Sequence, residues 1–408
     1  MLRRSVLKAA VASGLGAFAA PALAAADFVR ADRKAAGQRV DRLEVHRLPI
    51  NRRGDWLLLR LHSDGGVVGI GDASHGGGDE STLRYLRQFA DLLRGRSIFD
   101  VEWLRSAVAP TLAAEKGKSA IAAASALEHC LWDLMGKTLG VPSFDLLGGA
   151  LRKDIPLYAN INRSTDPRTP DGFAAMARRA VAAGFGAVKL APFDEIPADL
   201  VNRGDYKPKV EEGIASIAAV RAAIGPKRKL LVDAHSRFER DEGIRLAERL
   251  EPFNLYWLEE VTPAQPIENL AAIRRAARMP TAGGESVRGV AGFYPYVVGG
   301  AVDILMPDVK ICGGILELKK IAALAEAAGL PVSPHGPASP VGNLAAAHVC
   351  ATLPNFTILE FAFGEVDWRA EVVTPEESVE NGTIHLTERP GFGAELNLKA
   401  LRRHGLVI

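Results

Sequence analysis

Eight short apolar runs separated by amphipathic helical stretches follow one another from Ile155 onward, and no other feature restricts the fold so strongly. The alternation is that of a parallel βα array, because parallel neighbours need a crossover and a helix supplies it. The runs lie at 157–160, 187–190, 229–232, 255–258, 280–283, 302–306, 331–333 and 357–359. Helical periodicity occupies 171–183, 211–223, 240–251 and 315–328 between them, and Gly329 follows the last as a stop. Eight such units close into a (β/α) barrel of the TIM type, in which working groups stand at the C-terminal ends of the strands.

The barrel is expected over residues 155–370, with an α+β capping domain before it at 40–154. Residues 40–71 alternate in the strand manner and contain a hairpin turned at Ser63-Asp64-Gly65-Gly66. The clearest cap helix covers 119–139, with Leu127, Leu131 and Leu134 on one face and Gly140 placed to end it. The tail at 371–408 is irregular, carries Asn381-Gly382 and Pro390-Gly391 turns, and is expected to fold back on the cap. The fold class is therefore α/β, a modified TIM barrel with an N-terminal α+β cap completed by the C-terminal tail.

The first 26 residues read as a targeting segment: Arg3-Arg4-Ser5-Val6-Leu7-Lys8 leads into a small-residue apolar stretch and an Ala-x-Ala site at Ala22-Leu23-Ala24. They resemble a twin-arginine export signal, so a periplasmic mature protein is expected. The apolar stretch is too short for a spanning helix and no later stretch approaches the required length, so no membrane partner is expected after processing. Basic residues number 50 and acidic ones 48, a balance that argues against a nucleic-acid partner, which needs a concentrated basic face. Cys130, Cys312 and Cys350 are each flanked by apolar residues and read as buried thiols, not as a disulfide framework or a zinc cluster.

Three consecutive runs end in an acid, at Asp233, Glu259 and Glu285, with 26 residues between successive members. One βα unit per step sets the three carboxylates side by side on one rim. Any one of them alone reads equally as a solvated loop residue or a helix cap. Three in register repel one another unless a hard cation cancels the charge, and Mg²⁺ suits oxygen donors with positions left for water and a substrate carboxylate. Glu260 points the other way by strand alternation and is read as support or a salt-bridge partner. The next run ends at Asp308 and the one after it at His335, a pair that makes a general base when the Asp fixes the imidazole tautomer. The last run ends at Glu360, read as a protonated or hydrogen-bonding carboxyl beside the reacting oxygen, or else as a salt bridge closing the barrel.

These residues resemble the enolase superfamily, of the mandelate racemase/muconate lactonizing enzyme type, over essentially the whole mature chain. The cap helix segment Leu131-Trp132-Asp133-Leu134-Met135-Gly136-Lys137, with Leu146-Leu147-Gly148-Gly149 beyond it, is similar to the family's hallmark. Pro307-Asp308-Val309-Lys310-Ile311-Cys312-Gly313-Gly314 resembles its sixth-strand motif. The resemblance implies Mg²⁺ on Asp233, Glu259 and Glu285, a base dyad of Asp308 and His335, and assistance from Glu360. Two features depart from the general pattern. The Lys-x-Lys of two-base racemases is Lys189-Leu190-Ala191 here, without the second lysine, and the family's Glu-Glu-Pro is Glu259-Glu260-Val261. His235, two residues past the first ligand, matches the place where galactonate-type sugar-acid dehydratases of the subgroup keep a His that protonates the leaving hydroxyl. Taken alone it reads as well as a loop residue or a partner of Asp233.

The expected function is thus a carbon–oxygen lyase that takes the proton alpha to a carboxylate of an aldonic or related sugar acid, loses water and yields a 2-keto-3-deoxy acid. The alternatives are a racemase, epimerase or cycloisomerase on a carboxylate, and a non-catalytic sugar-acid binding protein. Lys189, Arg237 and His75 are candidate substrate contacts, His75 standing in a glycine-rich loop at 72–81 that reads as a lid or as a merely mobile turn. A small carboxylate substrate and a homo-oligomer complete the expectation.

Overall fold

The computed structural model describes residues 37–407 except 52, 53 and 202; the export signal lies outside the described residues. Among those described, no helix is long and apolar enough to cross a membrane. Three antiparallel strands open the cap, β1 (Val40–Asn51), β2 (Gly54–Ser63) and β3 (Val68–Asp72), so the expected hairpin is the second half of a meander. The helix Lys118–Leu139 lies across this sheet with nearly every residue buried. Its backbone comes so close that a Cβ on Gly69 would stand 2.2 Å from the carbonyl oxygen of Cys130, and one on Gly71 the same distance from that of Ala126. Gly140, at φ 73°, ends the helix in the left-handed conformation as its position in the sequence predicts.

Buried Asp133 shows how the tail completes the cap. It accepts hydrogen bonds from the backbone of Ile70 (2.9 Å) and Phe392 (2.6 Å) and pairs with Lys137 at 2.7 Å. Farther on, Leu406–Val407 pairs with β1, while Thr383–His385 pairs antiparallel with the first barrel strand, so the tail touches barrel as well as cap.

The barrel strands are β4 (Asp154–Asn160), β5 (Ala187–Leu190), β6 (Lys229–Asp233), β7 (Trp257–Glu259), β8 (Thr281–Gly283), β9 (Ile304–Leu305) and β10 (Leu359–Ala362). β4 to β9 pair in that order, and β10 pairs with β4. The seventh run, 331–333, forms no ladder of its own. Val332 makes single bridges to Leu305 and Phe356, and His335 bridges to Asp308. Pro331 and Pro334 remove two of the N–H donors that a ladder there would need.

Tyr158, Ala187, Leu231, Trp257, Ala282, Met306 and Ile358 pack together at the centre of the barrel. Strand side chains alternate, so the residue two positions on from each also points inward, one layer nearer the C-terminal rim. Those residues are Asn160, Lys189, Asp233, Glu259, Gly284, Asp308 and Glu360. Pairing of Asp233 with Glu259 and of Asn160 with Lys189 keeps this layer level. Gly284 breaks the period: at φ 112°, with Phe293 2.8 Å from where its Cβ would be, it bends the chain and presents Glu285 to the rim.

Cap and barrel meet at Asp72. Its Oδ2 accepts from the backbone (3.1 Å) and hydroxyl (2.7 Å) of Ser339, the N-cap of the helix Pro340–Cys350. On that helix His348 is buried between the rings of Phe144 and Phe392, and its Nδ1 accepts from the backbone of Phe144 at 3.2 Å. Burial lowers this imidazole from the usual 6.5 to about 4. The folded state thus prefers the neutral ring, a preference fully present above pH 6.5 and lost as the pH falls from 6.5 through 4. The fold is expected to lose on the order of 2–3 kcal/mol from this group over that window. Thermal melts from pH 7 to 4 should therefore fall less steeply for His348→Gln than for the unaltered chain, and equal slopes would remove the assignment.

Candidate active site

Every acid expected at the rim is there, and the contacts divide them into two groups. Lys189, only 1% exposed, is the cation of the first group: its Nζ lies 2.8 Å from Glu259 Oε1, 3.1 Å from Glu360 Oε1 and 3.8 Å from Asp233 Oδ2. Glu259 also accepts from the indole of Trp257 at 2.9 Å, and Glu360 from Asn160 (2.5 Å) and the backbone of Gly336 (3.0 Å). Burial and the two acids set the lysine's proton affinity in opposite directions, and the acids win, holding it well above the usual value. Lys189, expected as a substrate contact, stands in the same layer as these acids as their counter-charge.

His335 joins the second group. Its Nδ1 is 2.8 Å from Asp308 Oδ2, and its Nε2 is 3.0 Å from Glu285 Oε2 and 3.6 Å from Glu360 Oε2. His235 mirrors it on the other side, with Nε2 3.0 Å from Asp233 Oδ2 and Nδ1 hydrogen-bonded to Asp194. His235 and Ser236 have φ of 45° and 58°, a conformation costly for residues with a Cβ. Here it turns the imidazole back over the rim, held by a 2.9 Å bond from its own backbone N–H to Asp233 Oδ1.

Burial opposes every charge in this cluster, and near neighbours decide the outcome. Against that opposition Glu285, Glu360 and Asp308 raise His335 to about 10, while Asp233 and Asp194 raise His235 well above 6.5. Lys189 and His335 hold Glu360 down near 2 despite its burial, so the protonated form expected for it is not what these surroundings favour. Glu259 goes the other way. Burial, helped by Asp233 and Glu360, pushes it up to about 8 although Lys189 pulls it back. Acidic groups outnumber basic ones on this rim, where Asp233, Glu259, Glu285, Asp308 and Glu360 stand among Lys189, His235 and His335. Glu260, at φ 44°, accepts from the backbone of Gly284 (2.8 Å) and the hydroxyl of Ser236 (3.2 Å). It supports the loops by hydrogen bonds, and no salt bridge to it is present among the described residues.

The residues fit a hard cation. Asp233, His235 and Glu285 each bring one ligand atom within 4.8 Å of the others, and Glu259 stands beside Asp233 in register. Carboxylate oxygens are the donor set for Mg²⁺, whereas His235 is engaged at both ring nitrogens. Of the remaining candidates, His75 is half-buried in the loop after β3, its Nε2 2.8 Å from Thr82 Oγ1. Burial, Lys310 and Lys118 lower it to about 4. Arg237 accepts at its backbone carbonyl from Arg203 at 2.7 Å, and its Nε is buried with no hydrogen-bond partner among the described residues. A cavity of about 1000 Å³ also lies elsewhere, lined by Val108, Leu112, Val290 and Leu316 among others, and it holds none of the rim acids. Sequence reasoning missed Asn160, Asp194 and Arg168. The first was within reach, since it ends the first barrel run as the acids end the others.

A cap joined to a barrel with this rim defines a class of enzyme, and the chain belongs to it. Residues 172–400 match the enolase C-terminal domain-like family and residues 50–148 the mandelate racemase/muconate lactonizing enzyme N-terminal domain. Among relatives, it is 32% identical to a D-xylonate dehydratase of Haloferax volcanii over 86% of this chain and 85% of that one. It is 33% identical to a D-galactonate dehydratase family member of Streptomyces bingchenggensis over 84% and 88%. The structure of a mandelate racemase/muconate lactonizing enzyme-like protein from Rubrobacter xylanophilus is similar with a TM-score of 0.83 and 34% identity, covering 91% of this chain and 98% of that one.

Proposed function

We propose that this chain is a Mg²⁺-dependent sugar-acid dehydratase that converts an aldonic acid into its 2-keto-3-deoxy acid. The observation that carries the reading is the pair of imidazoles, each tied at Nδ1 to an aspartate and each aiming Nε2 at the carboxylate rim from a different strand end. Ala191, just past the end of the second barrel strand, offers no base where two-base racemases keep their lysine. Dehydratase relatives at about this level of identity support the same choice.

Asp233, Glu259 and Glu285 would hold the metal. Bound there, Mg²⁺ supplies Lewis-acid stabilisation of charge developing on the substrate carboxylate. The residues do the rest. With Glu285 engaged as a ligand its pull on the imidazole would weaken, and the neutral ring of His335 takes at Nε2 the proton from the carbon alpha to the carboxylate, while Asp308 stabilises the imidazolium formed. The electron pair of that C–H bond is taken up first by the substrate carboxylate and forms the carbon–carbon double bond in a second step, when the beta C–O bond breaks. His235 Nε2 gives its proton to the departing hydroxyl, which leaves as water. The resulting enol tautomerises to the ketone. Glu360 and Lys189 hold each other in place below the substrate and keep the rim's charge fixed through the reaction.

Incubating the protein with Mg²⁺ and D-xylonate, D-gluconate or D-galactonate in D₂O, followed by NMR, tests this. One of them is expected to yield a 2-keto-3-deoxy acid. His235→Asn is expected to slow that conversion by roughly 10²- to 10⁴-fold while deuterium still enters the alpha position. Inversion at the alpha carbon without loss of water would put an epimerase in its place, and binding without turnover a binding protein.

A further inference from the structure

Asp194 is given no part in the chemistry above, yet it is hydrogen-bonded to an imidazole of the rim. It stands in the loop after β5, and its Oδ1 faces His235 Nδ1. Its other oxygen is held by Arg168 Nη2 and by Asn162 Nδ2, each at 3.1 Å. Arg168, whose side chain is 8% exposed, is itself fixed from all sides. Nη1 donates to the backbone and side-chain oxygens of Asn162, both at 2.8 Å, Nη2 to the carbonyl of Ala191 at 2.8 Å, and Nε to Glu195 at 3.1 Å. Its guanidinium lies 5.1 Å from the ring centre of Phe173. Three successive strand-to-helix loops, after β4, β5 and β6, are thereby joined by one hydrogen-bonded chain that ends on an imidazole.

We infer that Asp194, held by Arg168, is a positioning residue that fixes the ring orientation and tautomer of His235. A carboxylate at Nδ1 makes that nitrogen the tied N–H and leaves Nε2 as the atom that can face a leaving group. Asp308 does the same for His335, at 2.8 Å, so the site contains two Asp–His dyads facing one substrate space. Arg168 prevents Asp194 from turning away, and its bond to the carbonyl of Ala191 ties the dyad to the end of β5. On this account the Arg168–Asp194 pair commits the site to expelling water once the alpha proton has gone. The inference rests on the dehydratase reading, and the test separates the two.

The measurement is the ratio of dehydration to deuterium entry at the alpha carbon of unreacted substrate, in D₂O with Mg²⁺ and the sugar acids named above. Asp194→Asn is expected to lower kcat for dehydration by roughly 10- to 100-fold with KM little changed. Deuterium entry, which belongs to His335, should persist, so the ratio falls by the same factor. Parallel loss of both processes, or no loss of either, overturns the positioning role. The control is His235→Asn: dehydration at the unaltered rate there sinks the dehydratase reading itself. If His235→Asn loses dehydration and Asp194→Asn does not, only the inference falls. Should no sugar acid turn over, ¹⁵N-histidine NMR of the Mg²⁺-loaded protein decides, with His235→Asn giving the assignment. The Nδ1–H signature of His235 is expected in the unaltered chain and should disappear in Asp194→Ala, and its persistence there overturns the inference.

Discussion

Substitution of His335 by Asn is expected to lower turnover of the sugar acid by about 10⁴-fold, the upper end of what losing a general base costs, and to end deuterium entry at the alpha carbon. The reason is geometric before it is electrostatic. His335 is the imidazole whose Nδ1 is held by Asp308 and whose Nε2 lies among Glu285 and Glu360. An amide in its place can occupy the volume and donate a hydrogen bond, but it cannot take a proton. The fold should survive, because the loop is also held by the backbone bonds of Gly336 to Glu360 and of His335 to Pro307. About 5 kcal/mol of transition-state stabilisation would go with the ring. Alpha-proton exchange continuing at the unaltered rate in His335→Asn, followed by NMR in D₂O, would show that another group is the base.

Lys189→Met should act on stability as much as on rate. Methionine fills most of the volume of the lysine, so the change removes the charge and leaves Glu259, Glu360 and Asp233 facing one another inside the barrel. Breaking a buried ion pair by deleting one partner costs about 3–5 kcal/mol, and the melting temperature is expected to fall by roughly 4–6 °C. Two further readings distinguish this cause from poor packing. Millimolar Mg²⁺ should restore part of the loss, since a cation on the remaining acids replaces the missing charge. The deficit should also shrink as the pH is lowered, because protonation of the acids removes the repulsion that creates it. A Lys189→Met melt that matches the unaltered chain, or a deficit indifferent to both Mg²⁺ and pH, would refute the account.

How much of the site could be read from the sequence depended on how each residue is placed. Asp233, Glu259 and Glu360 end apolar runs, and Asp308 and His335 follow theirs by two residues, so period-two alternation and the barrel's polarity were enough to bring them together. Asn160 obeys the same rule and needed only its application to a neutral side chain. Lys189 was legible as an inward position but not as a counter-charge, because its three partners come from strands 44 to 171 residues further along the chain.

The order of strands, the cap, the shared rim and the identity of the residues on it were determined by the sequence itself, because apolar periodicity and strand-end position are local properties that survive without coordinates. The strand-like run 331–333 was misjudged at the same level, since its prolines weigh against a ladder only once its neighbours are known. What tertiary structure alone decided was pairing. Asp194 reaches His235 across 41 residues, Arg168 reaches Asp194 across 26, and Glu285 arrives at the rim only because Gly284 turns the chain out of register. Loop conformations of this kind are set by left-handed backbone angles and by contacts between successive βα units, and neither leaves a period in the sequence.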